Sequence, residues 1–353
     1  MQVDYLLIGQ GISGTFLSHY LLERGCSVIV IDQPKHFTPS RVAAGIMNPV
    51  TGRRLTTVWM ADEILGYVPS AYETIGNKLN LTAISRKDII DIFPNPFMRE
   101  SFIEKAKAGD RYVRVGDNEQ ELQQWLRMDL GYGEIQPVYT AHLDLIIPAW
   151  NEYLYQNGNL RCEEFLFENL KTETDHIVYN DIVAKKIIFC EGPTGIDNPF
   201  FNTLPFSKNK GQALTLRIPD LPGNRIYKRS MLLVPLPEKE MFWLGSSYEW
   251  EFDTIEPTKE FRERSEASLK EWLKCSWKLV DHRAGLRPAT LERRPFVGLH
   301  PQHPAVGIFN GMGTKGCSLA PYFANEFTRH LLDGDPITRE ADVQRFSRTL
   351  SKS

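Results

Sequence analysis

The segment Asp4-Tyr5-Leu6-Leu7-Ile8-Gly9-Gln10-Gly11-Ile12-Ser13-Gly14 runs from a short apolar stretch directly into a G-x-G-x-x-G pattern. A helical segment from Thr15 to Arg24 follows, and a second strand from Cys26 to Ile31 ends at Asp32. The order of strand, glycine turn, helix, strand and acid is typical of dinucleotide-binding units. The first thirty-odd residues, Met1 to Gln33, are therefore predicted to begin a nucleotide-binding sheet.

Each part of this unit has a physical role. Gly9 permits the tight turn, and Gly11 lets the backbone approach a pyrophosphate where a side chain would collide. Gly14 lets the helix pack closely on the sheet, and the pyrophosphate is expected at the helix N-terminus, against free N–H groups and the positive end of the helix dipole. Asp32 is placed to accept hydrogen bonds from the adenosine ribose.

Length, net charge and cysteine count exclude several classes of protein. The chain has 353 residues, enough for two domains or for one domain with an insertion, and its net charge of −3 lacks the basic excess of nucleic-acid binders. Its five cysteines, at positions 26, 162, 190, 275 and 317, form no C-x-x-C pair, which suits a reducing compartment. We find no basic leader and no apolar run long enough to span a bilayer. These features predict a cytoplasmic protein without a membrane partner, and no metal site is expected.

The middle of the chain predicts an insertion followed by a return to the nucleotide sheet. Residues 61–139 contain short runs, such as a strand at Arg111–Val115 and a short helix at Glu119–Met128. The apolar strand Ala184–Cys190 then ends in Glu191-Gly192-Pro193, and Glu164–Phe167 is predicted to form another strand. A plain NAD domain seldom needs such a late return, whereas a larger flavin domain with an insertion does.

Three features leave alternatives open. The small-residue segment Ser40–Pro49 suits either a stretch beside a bound cofactor or a helix start packed on the sheet. Arg53-Arg54 suits either a solvated turn or an anion clamp. Tyr248, Trp250 and Phe252 alternate, which predicts one face of a strand that is either core or a sheet surface over a flavin. His142, at the start of a helix to Gln156, is expected to be structural.

The final third carries a second informative pattern. A strand at Ala305–Phe309 leads into Asn310-Gly311-Met312-Gly313-Thr314-Lys315-Gly316, and a helix follows to Leu332. Three glycines at a helix start indicate close backbone approach to a flat or charged group, because the N–H groups there face outward.

Six segments in this order resemble one family: the N-terminal unit, Ser40–Pro49, Cys190-Glu191-Gly192, Lys210-Gly211-Gln212, Gly285-Leu286-Arg287-Pro288 and Gly311–Pro321. They resemble the FAD-dependent D-amino-acid oxidase superfamily, and most closely its glycine oxidase and sarcosine oxidase branch. The oxidase half of the bifunctional enzyme that modifies the tRNA wobble uridine is also similar. The resemblance implies an α/β fold, with a Rossmann-type FAD-binding domain and an inserted α+β substrate domain built mainly on an antiparallel sheet. It places the FAD domain at residues 1–60, 140–210 and 275–345, and the substrate domain at 61–139 and 211–274.

The resemblance also implies the site residues. Arg287 matches the arginine that grips the substrate carboxylate in several members, and Tyr248 and Lys315 are further catalytic candidates. Tyr248 and Tyr227 are candidate pocket residues on the sequence pattern alone. The expected FAD, bound noncovalently, would contact Gly9, Gly11, Ile12, Ser13, Gly14, Asp32, Gln33, Ser40, Arg41, Ala43, Ala44, Gly45, Met47, Gly192, Gly311, Gly313, Thr314, Lys315 and Gly316.

The implied reaction is hydride transfer from the carbon beside an amine to the flavin, giving an imine that water hydrolyses. The expected substrate is a small amino acid or secondary amine. Alternatives are a tRNA-modifying flavoenzyme, against which the net charge argues, a flavin-binding module without turnover, and a plain NAD dehydrogenase. Oligomeric state and electron acceptor stay open.

The chain departs from the family pattern at three places. Asp32 stands where a glutamate is usual, and Met312-Gly313-Thr314 replaces a histidine, an aromatic residue and an arginine. In the sarcosine oxidase branch a lysine lies near the flavin, whereas the corresponding stretch here is Phe242-Trp243-Leu244-Gly245.

Overall fold

The computed structural model describes residues 1–33 and 38–351. Its strands, in chain order, are β1 Gln2–Ile8, β2 Val28–Ile31, β3 Ile46–Met47, β4 Val50–Thr51, β5 Thr56–Thr57, β6 Ile84–Arg86, β7 Ile89–Ile92, β8 Val113–Val115, β9 Tyr132–Ile135, β10 Tyr139–Ala141, β11 Leu160–Arg161, β12 Leu170–Thr172, β13 Ile177–Tyr179, β14 Ile182–Phe189, β15 Phe206–Arg217, β16 Ile226–Lys228, β17 Leu232–Pro235, β18 Met241–Gly245, β19 Lys278–Thr290, β20 Phe296–Leu299 and β21 Val306–Asn310.

The α-helices are α1 Ile12–Glu23, α2 Pro39–Val42, α3 Ala61–Leu79, α4 Pro96–Lys107, α5 Glu119–Leu122, α6 Leu143–Gln156, α7 Lys259–Trp272, α8 Gly316–Asp333 and α9 Ser347–Leu350. Short 3-10 turns occur at Phe167–Asn169, Gly192–Asp197 and Val343–Phe346. None of the helices in the part of the chain that the structure describes has the length and hydrophobicity needed to cross a bilayer.

The first sheet is the nucleotide-binding sheet that the sequence predicts. Its parallel part runs β11-β2-β1-β14, with β21 also parallel to β14, and the strands β13, β12 and β20 extend the sheet in antiparallel pairs. Successive side chains of a strand point to opposite faces. Leu7 therefore packs with the helical layer that contains Phe16, Trp150 and Phe323, whereas Leu6 packs with Phe189 on the other face. The chain returns to this sheet late, through β14 and β21, as expected for a Rossmann-type domain with an insertion.

The second sheet has the order β19-β15-β18-β17-β16-β7-β9-β8 and is antiparallel except for the β16–β7 pair. One face, with Leu214 and Phe242, packs against Phe261 and Trp272 of α7. The opposite face carries Gly211, Ala213 and Gly245, which line a cleft toward the first sheet. The α/β fold class with an additional antiparallel sheet is confirmed, while the domain boundaries given above stay a proposal.

Two local predictions outside the cleft are wrong. Residues 164–166 form no strand, and a 3-10 turn begins at Phe167. Phe165 and Phe167 both contact Phe189, with ring centroids 5.7 and 5.6 Å away, so the segment is held by aromatic packing on one side and not by strand pairing.

The predicted helix Glu119–Met128 ends after one turn, at Leu122. The backbone N–H of Arg127 donates to the carbonyl of Trp272 at 2.7 Å, and Leu126 forms an isolated bridge with Leu273. These tertiary hydrogen bonds replace the ones that further helical turns would make.

Candidate functional site

The site is a cleft between the carboxyl ends of the first sheet's strands and the open face of the second sheet, with a cavity volume of about 340 Å³. Four segments form its walls: the start of α1, the stretch from α2 to β4, the face of the second sheet and the loop before α8. Of the predicted site residues, it is lined by Gly11, Ile12, Ser13, Ser40, Ala43, Ala44, Gly45, Gly192, Tyr248, Arg287, Gly313, Thr314, Lys315 and Gly316.

The glycine turn is closely packed where the sequence requires it. Gly9 has φ of +99°, and a Cβ atom there would lie 2.7 Å from the carbonyl oxygen of Cys190. A Cβ atom on Gly14 would lie 1.9 Å from the carbonyl oxygen of Gly9. Both contacts are with backbone atoms, which cannot move aside as the end of a side chain can. These two positions therefore require glycine, although neither lines the cavity.

Two helix N-termini face the cleft. Gly11 precedes α1 and Lys315 precedes α8, and neither helix has a side-chain cap or an acidic residue in its first turn. At α1 the hydroxyl of Ser40 accepts a hydrogen bond from the N–H of Ile12 at 3.2 Å. The start of such a helix favours an anion such as a pyrophosphate.

The remaining predicted cofactor residues do not line this cavity in the described structure. Asp32, at the end of β2, accepts a hydrogen bond from the N–H of Gln10 at 2.9 Å through Oδ1. Met47 is buried, and Gly311 has φ of +78° at the turn after β21. Gln33 follows Asp32, and Arg41 lies on α2. The segment Ser40–Pro49 combines both interpretations left open by its sequence, since it begins with a helix and then lines the cleft.

Arg287 on β19 is held in place by hydrogen bonds to neutral partners. Its Nη1 donates to the side-chain oxygen of Asn209 at 2.5 Å and to the carbonyl of Ser247 at 3.0 Å, and its Nη2 donates to the hydroxyl of Ser246 at 2.7 Å. Burial lowers the pKa of this guanidinium, which nonetheless stays charged. Within the described chain it makes no ion pair with a carboxylate.

Tyr248 covers this guanidinium, with its ring centroid 4.7 Å from Cζ of Arg287. The predicted strand through Tyr248, Trp250 and Phe252 is wrong: residues 246–258 form a loop, and Tyr248 and Trp250 are 61% and 55% exposed. The loop is attached at its base, because Lys210 and Glu249 exchange backbone hydrogen bonds at 2.9 and 3.0 Å.

Tyr227 does not belong to the pocket. It is 1% exposed in the core beneath α7, and its hydroxyl donates to the carbonyl of Pro222 at 2.9 Å. His142 has a partner at each ring nitrogen, the carbonyl of Thr82 and the hydroxyl of Ser85, in keeping with a structural role. Arg53 and Arg54 are exposed on the turn between β4 and β5.

Lys315 presents an ammonium group to the cleft from the glycine-rich loop. No hydrogen bond or ion pair of its Nζ atom occurs among residues 1–33 and 38–351, and burial lowers its pKa to about 8. A small adjoining cavity, lined by Asn48, Trp59 and Ser318, also contacts this side chain. The ammonium is therefore placed to interact with a bound group on the cleft side.

The sequence analysis missed several lining residues on the second sheet. Lys228 lines the cleft and forms an ion pair with Asp91, with Nζ 2.6 Å from Oδ2. Trp243 donates from Nε1 to the carbonyl of Val42 at 2.8 Å and thus ties the sheet to α2. Only the register of the sheet brings these side chains to the cleft, and no local motif indicates them.

The site fits an extended dinucleotide that carries a planar ring. The close glycine turn and the two uncapped helix starts suit a pyrophosphate, and small residues of two segments, Ala43–Gly45 and Gly313–Gly316, line the same cleft. The residues present therefore match the FAD that the sequence predicts.

Comparison with known proteins gives the same result. Residues 162–330 match the family model DAO, described as FAD dependent oxidoreductase. Similar solved structures include iminodiacetate oxidase from Chelativorans sp. BNC1, with TM-score 0.77 and 20% identity over 98% of both chains. Glycine oxidase from Geobacillus kaustophilus aligns with TM-score 0.80 and 15% identity, again over 98% of both chains. L-proline dehydrogenase from P. horikoshii aligns with TM-score 0.76 and 16% identity over 98% of both chains. At these identities the structures establish a shared fold.

Proposed function

We propose that the chain is a member of the D-amino-acid oxidase superfamily of FAD-dependent oxidoreductases, and that it oxidises the carbon–nitrogen bond of a small amino acid or secondary amine that carries a carboxylate. FAD, when bound, supplies the hydride acceptor. The other requirements are met by this chain's own side chains, which bind the carboxylate, orient the reacting carbon and limit access of water. The resulting imine is hydrolysed to a carbonyl compound and an amine.

The observation that supports this proposal is the set of donors that Arg287 leaves unused. Both Nη1 hydrogens are directed to Asn209 and Ser247, and one Nη2 hydrogen to Ser246. Nε makes no hydrogen bond within the described residues, Nη2 carries a second hydrogen, and the two nitrogens lie along one edge of the planar guanidinium. That edge matches the two oxygens of a carboxylate. A substrate carboxylate bound there would form the direct ion pair that Arg287 does not make with any described carboxylate.

Tyr248 and Lys315 have supporting roles in this proposal. The Tyr248 ring lies over the guanidinium and shields the carboxylate site from solvent on one side. Lys315 supplies positive charge at the glycine-rich loop, where it would contact the cofactor or the substrate carboxylate. With a pKa lowered to about 8, its ammonium is mainly protonated at neutral pH and loses its proton under mildly alkaline conditions.

We also propose that FAD is held noncovalently. Cys190 and Cys317 are the nucleophilic thiols that line the cleft in the described structure, and burial raises the pKa of both, that of Cys317 to about 12. A buried protonated thiol is a poor nucleophile. Acid precipitation of the pure protein should therefore release all flavin into the supernatant.

The first experiment is an absorbance spectrum of the purified protein under anaerobic conditions, repeated with a panel of amino acids and N-methyl amines. Flavin bands that bleach with one compound, with the matching carbonyl product, would establish the reaction. Readmission of air would then identify or exclude oxygen as acceptor. Protein that stays colourless after reconstitution with FAD would contradict the proposal.

A macromolecular substrate would give a different result. Flavin that no small amine reduces, together with salt-sensitive tRNA binding, would favour the wobble-uridine alternative, because phosphate contacts are strongly screened by salt. Flavin that no amine reduces and no tRNA binding would favour a module without turnover. The proposal as stated needs no nucleic-acid partner.

A further inference from the structure

The cleft has a second polar end, opposite Arg287. Lys228 on β16 lines the cleft, and its side chain is 21% exposed. Its partner Asp91 is the paired residue on the adjacent strand β7, and the Asp91 side chain is 2% exposed. The Lys228 ammonium has three N–H donors, and Asp91 is its hydrogen-bond partner within the described residues. Further donors are thus available on the cleft side.

The surroundings of Asp91 indicate that its role is to position Lys228. It lies between Ile90 and Ile92 in a fully buried strand, and its Oδ1 atom has no hydrogen-bond partner in the described chain. Burial of a carboxylate costs more free energy than one ion pair restores, so this pair is a poor device for stability. It does hold the Lys228 ammonium at one position and neutralises its charge.

The floor between the two ends consists of small and apolar residues of the second sheet. Sheet pairing runs from Lys228 to Leu232, then to Gly245 and on to Ala213, and all four residues line the cleft. Ser246, next to Gly245, binds the Arg287 guanidinium. Two strand spacings separate Lys228 from Ser246, which corresponds to roughly 10 Å between the two polar ends. A molecule as small as glycine reaches only one of them.

We propose that Lys228, positioned by Asp91, binds an uncharged oxygen acceptor at the far end of a substrate whose carboxylate is held by Arg287. This rests on the proposed function and narrows its substrate to amino acids, or N-substituted amino acids, that carry a distal carbonyl or hydroxyl group. An uncharged group is favoured because Asp91 already balances Lys228, whereas Arg287 has no carboxylate partner in the described protein.

The test is binding to the holoenzyme, measured by titration calorimetry and by perturbation of the flavin spectrum. The probes are straight-chain carboxylic acids without an amine, in three series of matched and graded length: plain alkanoic acids, monoamides of dicarboxylic acids, and dicarboxylic acids. At one length the monoamide should bind about tenfold or more tightly than the alkanoic acid. This comparison needs no variant. The proposal is overturned if no monoamide gains affinity, or if the dicarboxylic acid gains as much.

Variants then test whether Lys228 causes the tighter binding of the monoamide. Lys228→Met should abolish it, whereas Lys239→Met, which changes a lysine with a 93% exposed side chain beside the same sheet, should keep it. Asp91→Asn removes the balancing charge and should shift the preference to the dicarboxylic acid. A gain that survives Lys228→Met would overturn the assignment.

Arg287→Met separates this inference from the proposed function. It should weaken all three series alike, because each probe retains one carboxylate for the guanidinium. If it weakens none, the proposed function fails. Suppose instead that the variant binds all three series more weakly, and that the unaltered protein binds the monoamide no more tightly than the alkanoic acid. Then only the distal site fails.

Discussion

The guanidinium of Arg287 lies directly over Gly211, where an added Cβ atom would be 2.0 Å from Nη2 and 2.3 Å from Cζ. Gly211 is paired with Gly285 in the neighbouring strand, so two residues without side chains lie opposite each other beneath this arginine. The guanidinium can occupy this position only because Gly211, on the neighbouring strand, has no side chain.

Gly211→Ala should therefore impair substrate binding without unfolding the protein. The added methyl would displace the end of a flexible side chain, and a displacement of about 1 Å at a binding group costs roughly a hundredfold in kcat/KM. Steady-state kinetics with flavin content as a second readout would check this. Kinetics equal to those of the unaltered enzyme would show that the observed arginine position is not required.

Arg287→Ala should raise the KM for a carboxylate substrate by orders of magnitude while FAD stays bound. Loss of a bidentate contact that also leaves a charge unpaired costs on the order of 2–4 kcal/mol. Arg287→Lys should recover only part of this, because an ammonium lacks the planar pair of donors. Arg283→Ala, on the same strand but outside the cleft lining, is the matched control. Loss of FAD with unchanged kinetics in the remaining holoenzyme would contradict the assigned role.

Gly14→Ala should weaken FAD binding and destabilise the fold together. The new Cβ would meet the carbonyl oxygen of Gly9 at 1.9 Å, so the helix start or the turn must move. Gly66→Ala in α3 is the control, since nothing lies within 4 Å of its added Cβ. That change should leave FAD binding intact and stabilise the protein by up to about 1 kcal/mol. Thermal unfolding with and without FAD measures both effects, and equal behaviour of the two variants would refute the steric argument.

Lys315→Met should stabilise the FAD-free protein at neutral pH. Its folded-state pKa of about 8 lies below its ordinary value of 10.5, so the unfolded chain binds the proton more tightly. The penalty for burying the charged ammonium is thus complete below pH 8 and disappears as the pH rises to 10.5. Allowing for partial exposure of the side chain, we expect a difference on the order of 1–3 kcal/mol at pH 7 that shrinks toward pH 10.

Urea unfolding of the variant and the unaltered protein at several pH values measures this difference, in which the other titrating groups cancel. In holoenzyme the sign should reverse if Lys315 contacts the cofactor, because the variant then loses that interaction. A pH-independent difference in the FAD-free protein would show that the lysine is not buried as the structure shows.

Local sequence was sufficient for the nucleotide-binding unit. β1, β2 and the G-x-G-x-x-G turn occur as predicted, although α1 starts at Ile12 rather than Thr15. The strand, glycine loop and helix of the final third also occur, as β21 and α8. Such features are encoded within a few neighbouring residues, by apolar runs and by glycines whose backbone geometry other residues do not tolerate.

The loop around Tyr248 shows where local sequence was insufficient. Its alternating aromatic residues have the pattern of a strand, but strand pairing is limited to one bridge with Lys210. The buried Lys210 donates to the carbonyl of Thr254 at 2.8 Å, and Gln212 accepts from the N–H of Thr258 at 2.7 Å. These partners are more than forty positions away in sequence, so no short window reveals them.

The sequence by itself determined the fold class, the cofactor and the identity of Arg287 as the candidate carboxylate-binding residue, because each depends on short motifs in a recognisable order. Only the tertiary structure decided which donors of Arg287 are free, that Tyr248 covers it, and that Lys228, paired with the buried Asp91, lines the same cleft. Those relationships arise from the pairing register of β19, β15, β18, β17, β16 and β7, whose strands come from distant parts of the chain. Register depends on long-range packing and hydrogen bonding, which a reading of consecutive residues does not contain.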